Sequence, residues 1–184
     1  MRAPLLTFIT SSANKLAEVE RILGHSLTQA SLPLEEIQAI DLETVVRHKA
    51  HQAYSHLGRP VLVEDTGLAF AAWNGLPGAL IKWFLVALGP SGICKLLESE
   101  THRAATATTL FSYYNGSECR VFAGTVSGIV PVTPRGTHGF GWDAIFQPLG
   151  SERTFAEMTS DEKDYFSMRR LALDQLRDSG LLDL

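Results

Sequence analysis

The sequence predicts an α/β fold, and three observations lead to that prediction. A short apolar run over residues 5–9 is followed by apolar residues at helical spacing over 16–23. A second apolar run, at 61–63, again lies between two stretches of helical periodicity. Residues 103–130 alternate β-branched and aromatic side chains around Asn115-Gly116, which is typical of an antiparallel hairpin. Strands alternating with helices predict one α/β domain over residues 1–184.

The segment between the first strand and the first helix is a candidate phosphate-binding loop. It is a run of small, mostly polar residues ending in a lysine: Thr10, Ser11, Ser12, Ala13, Asn14 and Lys15. Free backbone N–H groups and the positive end of the dipole at a helix start favour an anion. The same pattern also fits an ordinary helix N-cap followed by a solvated lysine, and the residues alone leave both interpretations open.

A second helix is predicted over residues 42–57, where apolar residues recur at helical spacing. Lys49 lies at the border of its apolar stripe and can reach along the packed face. The preceding segment, 33–38, is a predicted loop that contains Glu36. Glu36 either joins Asp65 around a cation or is solvated, as most loop glutamates are.

Residues 61–67 form the candidate centre of the molecule, because the apolar run is followed at once by Glu64, Asp65, Thr66 and Gly67. We expect the strand to end here, which would put both carboxylates at the carboxyl end of a strand, where ligands gather in open α/β sheets. Carboxylates at that place can hold a metal or activate water. The alternative is a strand that enters an acidic turn.

The second half of the chain adds two helices, the hairpin and a candidate ring-binding segment. Residues 75–78, Gly-Leu-Pro-Gly, interrupt regular secondary structure ahead of a third predicted helix. Lys82 projects from the first turns of that helix. Residues 139–143 combine two glycines, two aromatic rings and a carboxylate ahead of a predicted short strand at 144–146. That composition suits either a flat ring or a glycine-allowed bend with core aromatics. A C-terminal helix follows, carrying Leu171, Leu173 and Leu176.

Composition limits the classes of partner. The 184 residues, 45% hydrophobic and 20% charged, are typical of one globular domain. The net charge of −4 offers no broad attraction for nucleic acid or an anionic membrane. Cys94 and Cys119 have neither metal spacing nor a disulfide framework, and the N-terminus is too interrupted for a signal peptide. We therefore expect a cytoplasmic protein with no nucleic-acid or membrane partner.

Taken in order, these segments resemble the inosine triphosphate pyrophosphatase family, of the eukaryotic type, across nearly the whole chain. The resemblance lies in Phe8-Ile9-Thr10 with Lys15 and Glu18, and in residues 63–66, 75–78, 81–84, 140–143, 155–158 and 162–163. It implies a long mixed central sheet flanked by helices in two lobes, an active-site cleft between them, and a homodimer. It also implies magnesium-dependent hydrolysis of inosine, deoxyinosine and xanthosine triphosphates to the monophosphate and pyrophosphate, with Mn²⁺ as a substitute ion.

The resemblance also implies residue roles. Lys15, Lys49 and Lys82 would contact the triphosphate, while Glu36 and Asp65 would hold the metal. Asp65, or Glu64 acting with it, would orient and deprotonate water, and which of the two is the base stays open. The implied set is catalytic Asp65, Glu64 and Lys15; metal-binding Glu36 and Asp65; and substrate-binding Thr10, Ser11, Ser12, Ala13, Asn14, Lys15, Lys49, Thr66, Lys82, Phe140, Gly141, Trp142, Asp143, Lys163, Ser167, Met168 and Arg169.

Base selection would follow from the 6-oxo group, which is an acceptor where adenine has a donor. Two departures from the family pattern bear on this expectation and on the loop. Ser11-Ser12 stands where members usually carry Gly-Asn, and glycine allows backbone angles that serine resists. Met168 stands where they usually carry a histidine, which methionine cannot replace as a donor. The alternatives are a Maf-like pyrophosphatase of pyrimidine or modified nucleotides, and a nucleotide-binding module that has lost catalysis.

Overall fold

A seven-stranded mixed sheet carries helices on both faces, in a computed structural model that describes residues 6–182. The spatial order of the strands is β2-β1-β3-β5-β6-β7, and β4 pairs with β3 off this path. The strands are β1 Thr7–Ile9, β2 Thr28–Ala30, β3 Val61–Phe70, β4 Pro77–Gly78, β5 Ala104–Tyr114, β6 Cys119–Ile129 and β7 Gln147–Pro148. The helices are α1 Ala13–Leu23, α2 Leu42–Leu57, α3 Ile81–Leu96, α4 Ser160–Phe166 and α5 Met168–Asp178.

The long mixed sheet implied by the family resemblance is confirmed, with a parallel part and an antiparallel part. β1 pairs in parallel with β2 and with the first residues of β3, and that pairing ends at Ile9 opposite Val63. β3 is antiparallel to β5 along its whole length, and β5 and β6 form the hairpin predicted around Asn115-Gly116. The predicted first strand begins at Thr7 in the structure, and Leu5 lies outside the described residues.

Two predictions of strand limits were wrong. β3 does not end before Glu64 but continues to Phe70, because β5 supplies hydrogen-bonding partners beyond the point where β1 stops. The carboxylates therefore lie past the carboxyl end of β1, inside a strand and not in a turn. The predicted strand at 144–146 is instead a 3₁₀ helix, Asp143–Ile145, that precedes the two-residue β7.

The core is divided by the sheet. Leu62 of β3 packs with residues of α1 and α5 on one face, while its neighbours Val61 and Val63 pack with α2 on the other. A third cluster, at the far ends of β3 and β5, includes Ile81 and Ile93 of α3. Because side chains alternate along a strand, consecutive residues of β3 serve different faces of the sheet.

Several predicted features hold in this framework. The helices predicted from apolar spacing correspond to α1, α2, α3 and α5, although Leu171 of α5 is 46% exposed while Leu173 and Leu176 are buried. Cys94 and Cys119 are free thiols. None of the helices between residues 6 and 182 combines the length and apolar character that a membrane crossing requires.

Candidate active site

A cleft of about 590 Å³ opens where β1 ends and β3 continues. Residues from the loop after β1, from β3, from α2 and α3, and from the start of α5 line it. Most of the predicted site residues contribute to its wall: Thr10, Ser11, Ser12, Lys15, Glu36, Lys49, Glu64, Asp65, Thr66, Lys82, Phe140, Gly141, Trp142, Asp143, Met168 and Arg169. Residues far apart in the sequence are thus brought together as predicted.

Glu64 and Asp65 face opposite sides of the sheet, as neighbours on a strand must. The Asp65 carboxylate is 18% exposed and accepts a hydrogen bond from Lys49 Nζ at 3.0 Å. The Glu64 carboxylate is 1% exposed and accepts hydrogen bonds from Arg169 Nη2, at 2.9 Å, and from the Thr66 hydroxyl. The two carboxylates therefore belong to different surroundings.

The surroundings of Glu64 keep it ionised. Burial alone would raise its pKa, but the charges of Arg169 and Lys15 and the hydrogen bonds from Thr66 and Arg169 lower it to about 2. A carboxylate with this pKa is a poor proton acceptor at neutral pH, because a general base works best when its pKa lies near the operating pH. Of the two carboxylates, that of Asp65 is the more accessible from the cleft, 18% exposed against 1% for Glu64.

Three lysines enter the cleft from different helices. Lys15 of α1 lies 3.5 Å from Glu64, and Lys49 of α2 bridges Asp65, at 3.0 Å, and Glu36, at 3.9 Å. Lys82 of α3 binds the same Glu36 at 2.8 Å. Partial burial acts to raise the pKa of Glu36, but the hydrogen bond from Lys82 and the charge of Lys49 hold it below its ordinary value. These cations and carboxylates neutralise one another.

Glu36 and Asp65 also have the right chemistry for a hard cation. No group of three or more His, Cys, Asp or Glu suited to a metal occurs among residues 6–182. The two carboxylates share Lys49 and so lie on the same part of the cleft wall. Mg²⁺ prefers oxygen ligands, keeps several waters and needs only one or two carboxylates beside substrate phosphates. The donor set therefore fits a magnesium ion completed by phosphate and water oxygens.

The candidate phosphate-binding loop accommodates serine at positions 11 and 12 without backbone strain. Ser12 is the N-cap of α1, where its hydroxyl accepts the N–H of Lys15 at 3.2 Å, and its own N–H donates to the Thr10 hydroxyl at 3.1 Å. Among the described residues, Asn74 is the only non-glycine with a positive φ, so Ser11 and Ser12 both have ordinary backbone angles. The N-cap interpretation is correct for Ser12, and the same loop still lines the cleft.

A buried network of charges lies beneath the cleft. Arg169 binds Glu18 at 2.7 Å and Glu64 at 2.9 Å, and Lys163 binds Asp143 at 2.8 Å and Glu18 at 3.3 Å. All five residues are less than 7% exposed. The charges of Arg169 and Lys163 outweigh burial and lower the pKa of Glu18, whereas burial outweighs Lys163 and raises that of Asp143. Such a network forms only because opposite charges are paired.

Glu18 belongs to a motif that carries the family resemblance, but it is not among the predicted site residues. Its place at the edge of the apolar stripe does not distinguish it from Glu20, and only the structure shows that it is buried beside Val19. A charged residue on a buried stripe requires a buried partner of opposite charge, here Arg169 and Lys163.

The aromatic residues divide between the cleft and the core. Phe140 is half-buried, lines the cleft, and has Lys163 Nζ 5.0 Å and Arg169 Cζ 5.7 Å from its ring centre. Trp142 is 7% exposed and packs edge-on against Phe146, with ring centres 5.6 Å apart. Phe140 is thus the better placed ring for stacking, and Trp142 acts chiefly as a core residue behind it.

Four predicted residues lie outside the wall of the main cleft. The hydroxyl of Ser167 is the N-cap of α5 and accepts the N–H groups of Arg169 and Arg170. Asn14 and Lys163 line a smaller neighbouring pocket of about 310 Å³, and Phe140 lines both cavities. The fourth, Ala13, begins α1 and lines neither cavity.

Comparisons with known proteins cover nearly the whole chain. A sequence model of the Ham1 family matches residues 6–179. The inosine triphosphate pyrophosphatase of Kluyveromyces lactis is 42% identical, covering 97% of this chain and 96% of the relative. That of Yarrowia lipolytica is 45% identical, covering 94% and 93%.

Solved structures give the same picture. A HAM1 protein from Coxiella burnetii is similar with a TM-score of 0.77 and 27% identity, covering 95% of this chain and 98% of that one. A nucleoside-triphosphatase from Mycobacterium abscessus, described as a dITP/XTP pyrophosphatase, has a TM-score of 0.74 and 29% identity, covering 93% and 97%.

Proposed function

The chain belongs to the Ham1 family, and from that premise we propose that it hydrolyses non-standard purine nucleoside triphosphates to the monophosphate and pyrophosphate. Inosine, deoxyinosine and xanthosine triphosphates are its substrates, and their removal cleanses the nucleotide pool. Relatives named inosine triphosphate pyrophosphatase, 40–45% identical over nearly the full length, support this proposal. The observation that carries it is the cleft in which three lysines face two metal-compatible carboxylates.

The lysines meet the main electrostatic demand of the reaction, which is the negative charge of the triphosphate. Lys49 and Lys82 are held by Glu36 and Asp65 in the absence of a ligand. A bound triphosphate competes with the two carboxylates for these ammonium groups. The lysines would then pair with phosphate oxygens, and the carboxylates would be free to bind a metal ion. Lys15 lines the cleft beside the loop of Thr10, Ser11 and Ser12, at the start of α1, where the positive end of the helix dipole would favour phosphate oxygens.

Glu36 and Asp65 would hold a magnesium ion, with Mn²⁺ as a substitute. When bound, the ion neutralises phosphate charge and makes nearby water more acidic. Asp65 orients the attacking water and accepts its proton. The water oxygen bonds to phosphorus while the α–β phosphoanhydride bond breaks, and the electrons of that bond leave with pyrophosphate. Catalysis then depends on positioning and charge stabilisation, as is general for transfers at phosphorus.

The end of the cleft near Phe140 receives the base. Phe140 stacks on the purine, and the side chains at its edge come from Asp143, Lys163 and Arg169. A donor directed at the 6-position donates a hydrogen bond to an oxo group but leaves the amino group of adenine, itself a donor, unpaired. An unpaired buried polar group costs roughly 1–3 kcal/mol, which corresponds to a strong preference for 6-oxo purines.

The first test is pyrophosphate release from inosine, xanthosine, guanosine, adenosine and deoxyuridine triphosphates, with magnesium, with manganese and with a chelator. We expect metal-dependent release that is fastest for inosine or xanthosine triphosphate. Asp65→Asn should lower kcat by about 100-fold or more. Asp174→Asn, which alters an exposed ion pair of α5, is the matched control and should retain the activity of the wild type.

The other outcomes identify the competing functions. Preference for deoxyuridine triphosphate would indicate a Maf-like enzyme. Nucleotide binding without release from any substrate would indicate a non-catalytic module. Full activity in the presence of chelator would contradict the magnesium site at Glu36 and Asp65.

We also propose a homodimer in the cytoplasm. The free thiols Cys94 and Cys119 fit a reducing compartment. Light scattering on the purified protein should give twice the chain mass of 20.1 kDa, and a mass of one chain at micromolar concentration would contradict the dimer.

A further inference from the structure

We infer that Glu64 is a positioning residue, whose fixed carboxylate directs the ammonium group of Lys15 toward the triphosphate. The inference rests on the proposed function, because it gives Glu64 a task in that reaction other than those of base or metal ligand. Its basis is the unequal use of the two carboxylate oxygens of Glu64.

One oxygen of Glu64 is fully engaged and the other is not. Oε1 accepts hydrogen bonds from Arg169 Nη2, at 2.9 Å, and from the Thr66 hydroxyl. Oε2 is buried and has no hydrogen-bond partner among residues 6–182, although the ammonium group of Lys15 lies 3.5 Å away. An unpaired buried carboxylate oxygen is costly, so the charge of Lys15 is the compensation available to it.

The two partners differ in mobility. Glu64 is 1% exposed, lies in the middle of β3 and is held by Arg169. Lys15 is 24% exposed, in the first turn of α1, and has a flexible four-carbon stem. The fixed carboxylate of Glu64 therefore sets the position of the flexible Lys15 ammonium group. This direction matters because Lys15 lines the cleft beside the phosphate loop, where its position decides which phosphate oxygens it meets.

Glu64 lines the same cleft as the proposed metal ligands but points to the other face of the sheet. It faces the α5 side of the sheet, whereas Asp65 faces Lys49 and α2. Its engaged oxygen is paired with a cation that also binds Glu18 at 2.7 Å. Glu64 therefore acts through Lys15, and its substitution should matter only while Lys15 is present.

Glu64→Gln tests this dependence with little change of shape. The amide oxygen can keep the hydrogen bonds from Arg169 and Thr66, while the amide nitrogen replaces Oε2 and turns a donor toward the ammonium group. We expect kcat/KM for inosine triphosphate to fall about 10- to 100-fold. Lys15→Met should cause a similar fall. The double variant should be no worse than Lys15→Met alone, because Glu64 has then lost the group through which it acts.

Glu157→Gln is the control. Glu157 pairs with Arg135 at 3.3 Å and belongs neither to the Arg169 network nor to the cleft wall. Whatever factor Glu157→Gln costs in kcat/KM should multiply with that of Lys15→Met, because distant residues that share no partner act independently. If the Glu64 and Lys15 factors multiply as well, Glu64 has only a structural role and the inference is overturned.

Two further measurements keep the test decisive. If Glu64→Gln does not fold, Glu64→Asp replaces it, since aspartate retains the charge but places it farther from Lys15. Adding Lys15→Arg, whose side chain reaches farther, to the Glu64→Asp variant should then restore part of the lost activity. Absence of any restoration would count against the inference. The same cycle on the Kd of inorganic tripolyphosphate, measured by calorimetry, needs no turnover. If the wild type binds tripolyphosphate and the variants are non-additive, but no pyrophosphate is released from any nucleoside triphosphate, the proposed function is overturned while the role of Glu64 in positioning Lys15 is retained.

Discussion

Replacing Glu64 with glutamine should remove a pH-dependent part of the stability of the protein. The folded state holds the pKa of Glu64 at about 2, below its ordinary value of 4.5. A depressed carboxylate pKa contributes stability that is fully present above about pH 4.5 and is lost as pH falls through about 2. At 1.36 kcal/mol for each pH unit, the contribution at pH 7 is on the order of 3 kcal/mol.

The same arithmetic leaves about 1 kcal/mol of this contribution at pH 3, where the unfolded chain is already protonated. The free energy of unfolding of the wild type should therefore exceed that of Glu64→Gln by about 3 kcal/mol at pH 7 and about 1 kcal/mol at pH 3. Urea unfolding, followed by the fluorescence of the three tryptophans, measures both differences.

Glu98→Gln is the control, because Glu98 is exposed on the surface. Its difference from the wild type should stay within about 0.5 kcal/mol at either pH. If the free energies of unfolding of the wild type and Glu64→Gln differ by the same amount at pH 7 and at pH 3, the reasoning is refuted. The pKa of Glu64 would then not be depressed in the folded state.

Three further predictions concern the start of α5. Gly124→Ala places a Cβ 1.8 Å from the carbonyl oxygen of Met168, so α5 must move from β6 and thermal unfolding should occur at least about 5 °C lower; an unchanged Tm would contradict this close packing. Ser167→Ala removes the N-cap of α5 and should cost about 1 kcal/mol, while Ser167→Asn, which can still cap, should cost less in the same urea titration. Met168→His restores a donor to the cleft wall and should increase the preference for inosine over adenosine triphosphate by roughly tenfold; an unchanged ratio of kcat/KM would exclude a side-chain role at this position.

Local patterns predicted those elements whose packing depends on their own residues. The apolar stripes of α1 and α2 and the turn at Asn115-Gly116 are properties of short segments, so the sequence was sufficient. The extent of β3 was mispredicted because two carboxylates and a glycine inside a strand look locally like a turn. What keeps that segment extended is β5, some forty residues later in the chain.

The candidate site was predicted only in part, because its residues come from distant segments of the chain. The family resemblance is confirmed by the Ham1 match over residues 6–179, and the residues that it implied mostly meet in one cleft. The individual roles stay predictions. The different surroundings of Glu64 and Asp65 could not be predicted locally, because they depend on Arg169 and Lys49, which approach from opposite faces of the sheet. The core position of Trp142 depends likewise on Phe146 and Phe155.

The buried charge network also constrains the order in which the chain can mature. Glu64 precedes its partner Arg169 by 105 residues, and Glu18 precedes Lys163 by 145. During synthesis Glu18 and Glu64 are therefore made long before Arg169 and Lys163, and they must remain in water until then. The floor of the cleft closes only when the last helix docks on the sheet. A partly folded chain with an intact α1 and β3 consequently lacks a usable site, so activity regained during refolding reports the completed fold and no earlier stage.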